Sequence, residues 1–352
     1  MTLQIQNIRK KIAQKKIDCL LVTSATNISY LTQTPSRDSY FLISKNRLFY
    51  LTDSRYTEEA KKRLGREIII KKIDGAITQT LVEICLEINA KRIGFEERNL
   101  SFSGYKKIKT AFGKKVSLIP TQDLVENLRE VKSVEELKKI RKAIAITKEA
   151  LNFAKRVIKP GKKELEVVAE LERFIRYHGA KASAFDIIVA SGANSSFPHH
   201  ISSQKRIRNN ELVLVDIGVD YEGYKSDLTR IFFLGRISVY ARSIYDLVLK
   251  ANRSAINAIK PGTLIAKIDS QARSTISQKG FGEYFGHSLG HGVGLDIHEK
   301  PTISGKNQEK LTPGMVFTVE PAIYLPGKFG IRIEDMVLVT KKGCEVLSGS
   351  IN

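Results

Sequence analysis

The sequence predicts an α+β fold in which a smaller α/β domain, residues 1–125, precedes a larger duplicated domain, residues 126–352. Three observations carry this. Over residues 1–125, short apolar runs alternate with helix-patterned stretches, as in an α/β sheet. Farther on, Ile158-Lys159-Pro160-Gly161 recurs as Ile259-Lys260-Pro261-Gly262. Each copy lies between two helix-patterned stretches, and the second of these ends at a glycine 18 residues past the tetrapeptide, Gly179 or Gly280, so a whole unit is repeated. Finally, each half carries apolar strand runs with acids at matched places: Asp216 and Asp227 in the first, Glu320 and Glu334 in the second.

In the first domain, strands are expected at 19–22, 48–51, 67–73, 92–95 and 116–119, and helices at 4–15, 56–64, 76–88 and 101–111. The sheet should be largely parallel or mixed. This domain holds no histidine and no catalytic cluster. The boundary falls within 122–133. Ser133-Val134-Glu135-Glu136 has the form of a capping box, with the Ser133 hydroxyl and the Glu136 carboxylate each satisfying an orphan backbone N–H. A helix should run from there to about Val157, stopped by Pro160-Gly161, and a second over 163–177. Residues 211–217 (ELVLVDI) and 224–233 read as strands around a turn at Tyr221-Glu222-Gly223. Residues 315–320 (MVFTVE) and 330–339 (GIRIEDMVLV) repeat the arrangement. The acids of each pair are 11 and 14 residues apart, which places them on neighbouring antiparallel strands.

Residues 286–299 (GHSLGHGVGLDIHE) contain three of the six histidines, His287, His291 and His298, among four glycines. Imidazole is the usual nitrogen ligand for metals and the usual proton carrier near neutral pH, and glycine allows close approach of other atoms. The stretch is not an HExxH helix, because Thr302 stands where the second histidine would be. Charges inside apolar strands are costly unless paired or bound to a cation, and four converging carboxylates cannot all stay ionised without compensation. Salt bridges to Arg230 and Arg332 would serve one acid; four acids in matched positions beside a histidine cluster point instead to two divalent cations. The expected ligands are Asp216, Asp227, His291, Glu320 and Glu334. This oxygen-rich set with one imidazole suits Mn²⁺, with Co²⁺, Zn²⁺ and Fe²⁺ as alternatives.

The net charge of +21 is spread over scattered lysine doublets with no basic tail, so a solvated surface is expected and a nucleic-acid partner is not. The three cysteines are odd in number and far apart in sequence, the first residues lack an apolar signal core, and no run of about 18 apolar residues occurs. A cytoplasmic protein without a membrane span is therefore expected.

The stretches FDIIVASGANSSFPHH, VLVDIGVDYEGYKSDLTR, HSLGHGVGLDIHE, TVEPAIY and IRIED together resemble the peptidase family of Xaa-Pro aminopeptidases and prolidases, whose duplicated "pita-bread" catalytic fold is shared with methionyl aminopeptidase and creatinase. LTDSRYTEEA, near residue 51, is similar to the creatinase-like N-terminal domain, and LREVKSVEELKKIRKA to the family's entry into its catalytic domain. The resemblance implies that Asp216 serves one metal, His291 and Glu320 the other, and that Asp227 and Glu334 bridge. It implies that His199 contacts substrate, that His287 and His298 hydrogen-bond substrate and the tetrahedral intermediate, that Glu320 doubles as a base, and that Tyr324 and Arg332 support them. His178 reads as a helix-end residue. The implied activity is hydrolysis of the bond before proline. A dipeptide's free carboxylate calls for a cationic clamp, and beyond His298-Glu299 the chain offers Lys300 but no arginine, with Arg332 expected to be held by its neighbour Glu334. An Xaa-Pro aminopeptidase is thus the first expectation, an Xaa-Pro dipeptidase the alternative, and a non-catalytic pita-bread module binding nucleic acid or histones a remote one that the intact ligand set opposes. Proline-containing peptides are the expected partners, and the chain is expected to form a homodimer.

Overall fold

The computed structural model describes residues 2–349 and divides into two compact units, Met1–Arg129 and Glu130–Asn352. In the first unit, strands β1 (Cys19–Val22), β2 (Ser39–Ser44), β3 (Leu48–Thr52), β4 (Ile68–Lys72), β5 (Arg92–Glu96) and β6 (Ser117–Thr121) form one sheet in the order β4-β3-β2-β1-β5-β6. It is mixed: β2 runs antiparallel to both β1 and β3, and the other pairs are parallel. Around it lie α1 (Leu3–Gln14), α2 (Ala25–Thr32), α3 (Thr57–Arg63), α4 (Ile77–Glu87) and α5 (Phe102–Phe112). Sequence patterning overlooks β2 and α2. The β2–β3 hairpin interrupts the strand–helix alternation, and α2 has only eight residues to display a helical period. The short α6 (Glu126–Arg129) belongs to this unit, so the division falls after Arg129 and not after residue 125. Buried Asn27 ties it down: its Nδ2 donates to Glu126 Oε1 (2.6 Å), and Arg129 Nη1 donates to its Oδ1 (2.8 Å).

The second unit begins with the capping box. Ser133 Oγ accepts from the Glu136 N–H (3.3 Å), and Glu136 Oε2 accepts from the Ser133 N–H (2.9 Å). Helix α7 (Val134–Val157) follows, then α8 (Glu164–Tyr177), and in the second half α9 (Val239–Asn257) and α10 (Ile265–Ser277). Strands β7 (Ala182–Ser183), β8 (Ile188–Ser191), β9 (Leu212–Ile217), β10 (Val219–Tyr221), β11 (Tyr224–Lys225) and β12 (Leu228–Phe233) belong to the first half. The second half supplies β13 (Gly290–Gly292), β14 (Glu299–Ile303), β15 (Val316–Val319), β16 (Ala322–Leu325), β17 (Phe329–Arg332), β18 (Asp335–Val339) and β19 (Cys344–Val346). The main sheets run β12-β9-β8 and β14-β13-β15-β18-β19.

Two hydrophobic cores result, one under α7 and α8 and one under α9 and α10. Strands β15 and β18 serve both: Val316 and Leu338 face the first core, Phe317 and Val337 the second. Alternation along a strand sends successive side chains to opposite faces, so these strands are buried on both sides. The expected continuous strands 224–233 and 330–339 are each split, with Asp227 in one break and Glu334 in the other. At both breaks the backbone turns towards the opposite half. The Glu334 N–H donates to Thr229 O (3.2 Å), and the Asp227 N–H lies 3.2 Å from Met336 Sδ. The breaks join the two halves and aim their acids at one place.

Candidate active site

Asp216 lies on β9 opposite Thr229 of β12. Its neighbours Val215 and Ile217 fill the first core, so the two-residue period turns Asp216 the other way. Glu320 follows β15 directly. His291 is the middle residue of β13, between two glycines that let this strand come close. A Cβ on Gly290 would stand 2.0 Å from Thr318 O, and one on Gly292 2.1 Å from Lys300 O. As a result, ligand atoms of Asp227, His291 and Glu334 lie within 4.8 Å of one another. His291 Nε2 is 3.5 Å from Asp227 Oδ2 and 3.3 Å from Glu320 Oε1. Two threonines that sequence reasoning missed orient the glutamates: Thr229 Oγ1 donates to Glu334 Oε2 (2.7 Å), and Thr318 Oγ1 to Glu320 Oε1 (3.1 Å). Each stands two residues along the chain from a site acid, Asp227 or Glu320, and that spacing was the available signal.

The charges of this cluster are not balanced by protein alone. Burial, reinforced by the neighbouring carboxylates, pushes Asp227 and Glu334 well above the usual carboxylate range. Burial also raises Asp216, against the pull of Arg332. Glu320 is pushed the same way by burial, but the adjacent His291 ring and the Arg332 guanidinium bring it below its ordinary value. Asp216 Oδ2 takes the Arg332 guanidinium at 2.6 Å, whereas its Oδ1 is buried without a hydrogen-bond partner. His291 Nδ1 lies 3.2 Å from Gly292 O, which assigns the proton to Nδ1 and turns the Nε2 lone pair on the two carboxylate oxygens. A backbone carbonyl on the far nitrogen is the usual support of a metal-ligating imidazole. An orphaned carboxylate oxygen and a lone pair facing anions fit a divalent cation with mainly oxygen ligands.

Arg332 is not held by Glu334 as expected. Its charge goes to Asp216, and it also donates to Tyr324 OH (2.7 Å), Thr229 Oγ1 (3.0 Å) and Pro198 O (3.3 Å). Among the described residues, the hydrogen-bonded link from Arg332 to Glu334 runs through the Thr229 hydroxyl. The second expected arginine partner, Arg230, pairs with Asp335. The chain from Arg332 continues outward. Burial pushes the Tyr324 phenol up to about 12, so it stays protonated and can donate to His287 Nε2, 3.4 Å away. His287 Nδ1 donates to Ser288 O (2.7 Å), which fits that tautomer.

Above the cluster opens a cavity of about 1290 Å³, lined by His199, His287, His298, Tyr284, Ile188 and Ile201 among others. The His298 ring stands edge-on to that of His291 at 4.2 Å, and burial together with that neighbour lowers its pKa. Burial likewise lowers His287. His178 ends α8, stacked on Phe174, away from the cavity lining. His200 lines the cavity but is bonded to Glu164. Lys300 is outside the lining, and its charge acts on Glu130. Among the described residues no helix is long and apolar enough to cross a membrane.

Residues 4–131 match the Creatinase/Prolidase N-terminal domain, and residues 138–341 match Metallopeptidase family M24. An Xaa-Pro dipeptidase of Pyrococcus horikoshii is 36% identical over 99% of this chain and 97% of its own length. Among solved structures, an Xaa-Pro dipeptidase from Bacillus anthracis superposes with a TM-score of 0.95 at 40% identity, covering 99% of this chain and 97% of the other. An X-Pro aminopeptidase from Thermotoga maritima superposes with a TM-score of 0.88 at 38% identity, covering 95% and 96%.

Proposed function

This chain belongs to metallopeptidase family M24, and we propose that it hydrolyses dipeptides whose second residue is proline. The observation that carries the reading is the convergence of Asp227, His291 and Glu334 beneath a cavity that also presents His199, His287 and His298. In this reading the same cluster, completed by Asp216 and Glu320, holds two divalent cations. Such cations supply Lewis acidity towards a carbonyl and a water nucleophile near neutral pH. Glu320, depressed and ionised, accepts a proton and passes it towards the proline nitrogen. His298, neutral near pH 7, donates to the oxygen that gains charge. Tyr324 and Arg332 hold His287 and Asp216 in place.

Dipeptides are placed ahead of the longer peptides that the missing arginine suggested. Two full-length relatives carry the name Xaa-Pro dipeptidase, and the His199 ring in the cavity lining can offer its N–H to a substrate carboxylate without an arginine. Cleavage of Xaa-Pro-Yaa peptides is the second reading. It is favoured by the cavity, larger than a dipeptide requires, and by the position of Lys300 outside it. The deciding experiment compares kcat/KM for Ala-Pro, Ala-Pro-Ala and Ala-Ala after metal removal and Mn²⁺ return. Ala-Pro should lead. A lead for Ala-Pro-Ala would select the second reading, and equal turnover of Ala-Ala would end the proline specificity.

A further inference from the structure

The repeated tetrapeptides build the same turn twice, with one chemical difference. After Gly161 the backbone N–H groups of Glu164 and Leu165 donate to Lys205 O and Ser203 O. After Gly262 those of Ile265 and Ala266 donate to Glu309 O and Asn307 O in the same pattern. Glu164 and Ile265 are each the first residue of their helix, α8 and α10, and both are fully buried. The fold therefore makes this turn with an apolar residue, and the carboxylate in the first copy calls for another explanation. A buried carboxylate is costly unless every lone pair is used.

Glu164 uses them on one segment. Its Oε1 accepts from Ser191 N (2.8 Å), Ser191 Oγ (2.8 Å) and Asn194 Nδ2 (3.0 Å). Its Oε2 accepts from His200 Nε2 (2.9 Å), Ser203 N (3.0 Å) and Ser203 Oγ (2.7 Å). These bonds more than offset burial and hold the carboxyl below its ordinary value. Segment 191–203 carries His199, whose ring makes no side-chain hydrogen bond among the described residues and stands in the cavity lining. Pro198 O is held by Arg332, and His200 by Glu164. The His199 ring is thus placed from both sides, by the metal-site arginine and by this buried acid.

We propose that Glu164, paired with His200, is a positioning residue that sets where His199 stands in the substrate cavity. The proposal rests on the functional reading above, in which His199 meets the substrate. Gln is the informative replacement, because its amide NH₂ would face backbone and side-chain donors where the carboxylate accepts on both oxygens.

The test uses the full-length, Mn²⁺-loaded protein. Glu164→Gln should lower kcat/KM for Ala-Pro by about 10²-fold, the scale of a small misplacement. In a His199→Ala background the same change should cost less than about threefold, since groups acting through one another are not additive. Amide exchange across residues 191–203 should accelerate, with metal content unchanged. Equal losses in both backgrounds would overturn the proposal, as would faster exchange with unaltered kinetics. His200→Ala removes a single donor; should Glu164→Gln fail to fold, it carries the same cycle, with a loss of about tenfold expected and no loss overturning the proposal. A wild-type protein that cleaved no Xaa-Pro peptide would defeat the functional reading instead. Unchanged exchange at 191–203 in Glu164→Gln would then still refute the positioning role.

Discussion

Replacing Arg332 by Met should destabilise the protein far more without metal than with it. Arg332 is 4% exposed and, among the described residues, is the only cation hydrogen-bonded to Asp216. Met fills similar volume but leaves Asp216 Oδ2 without its 2.6 Å partner and the Tyr324 and Thr229 oxygens without donors at 2.7 and 3.0 Å. Breaking a buried pair from one side costs about 3–5 kcal/mol, because the remaining charge stays buried. For a unit of this size each kcal/mol moves Tm by roughly 2–4 °C, so the metal-depleted variant should melt about 6–20 °C below wild type. If Asp216 Oδ1 faces a bound cation, as its lack of any other partner suggests, that cation replaces part of the lost charge and the Mn²⁺-saturated variant should lose markedly less. Calorimetry of both proteins with chelator and with Mn²⁺, at one scan rate, gives the four values needed. Equal drops in the two conditions would mean that Asp216 is not a ligand.

Asp227→Asn should lose bound metal and nearly all activity, because its carboxylate lies in the ligand cluster with His291 and Glu334; full metal content by elemental analysis would refute its place there. His298→Ala should keep its metal and lose about 10²–10³-fold in kcat with KM little changed, as for an oxyanion donor; metal loss instead would exchange the roles of His291 and His298. Glu164 lies below the ordinary glutamate value of 4.5, so its contribution to stability is complete above that pH and disappears as pH falls through the lowered folded value. The urea midpoints of wild type and Glu164→Gln should therefore converge as pH falls from about 7 to below the ordinary glutamate value, and a gap that widens on acidification would contradict the assignment.

The acids were legible in the sequence because a charge inside an apolar run contradicts its surroundings. Asp216 in ELVLVDI and Glu320 after MVFTV stand out for that reason, and His291 for its glycines. The split of strands 224–233 and 330–339 was not legible, because each break is made by bonds to the opposite half, about a hundred residues away, and no local pattern records them. Arg332 was assigned to Glu334 on sequence proximity. In a strand, neighbours two apart share a face, but the break before β18 turns Glu334 aside and leaves Arg332 facing Asp216. The Glu164 network escaped for a related reason: a glutamate opening a helix is an ordinary surface residue until its partners, 27 to 39 residues away, are folded onto it.

The duplication also explains why the proposed ligands are unequal. Strand β8 lies against β9 as β13 lies against β15. Two residues before Asp216, β9 has Leu214, and two before Glu320, β15 has Thr318. Leu214 pairs with Ala190, whereas the Thr318 hydroxyl accepts from the backbone N–H of His291. The first copy thus closes this position with two buried apolar side chains, and the second opens it for an imidazole and a hydroxyl. Four carboxylates are what two copies of one unit supply; the nitrogen ligand exists only in one. If Asp216 served one cation and His291 with Glu320 another, the Asp216 side would offer fewer protein donors, and its carboxylate already takes the Arg332 guanidinium. A repeat that began symmetric would in this way acquire one firmly held cation and one held less firmly.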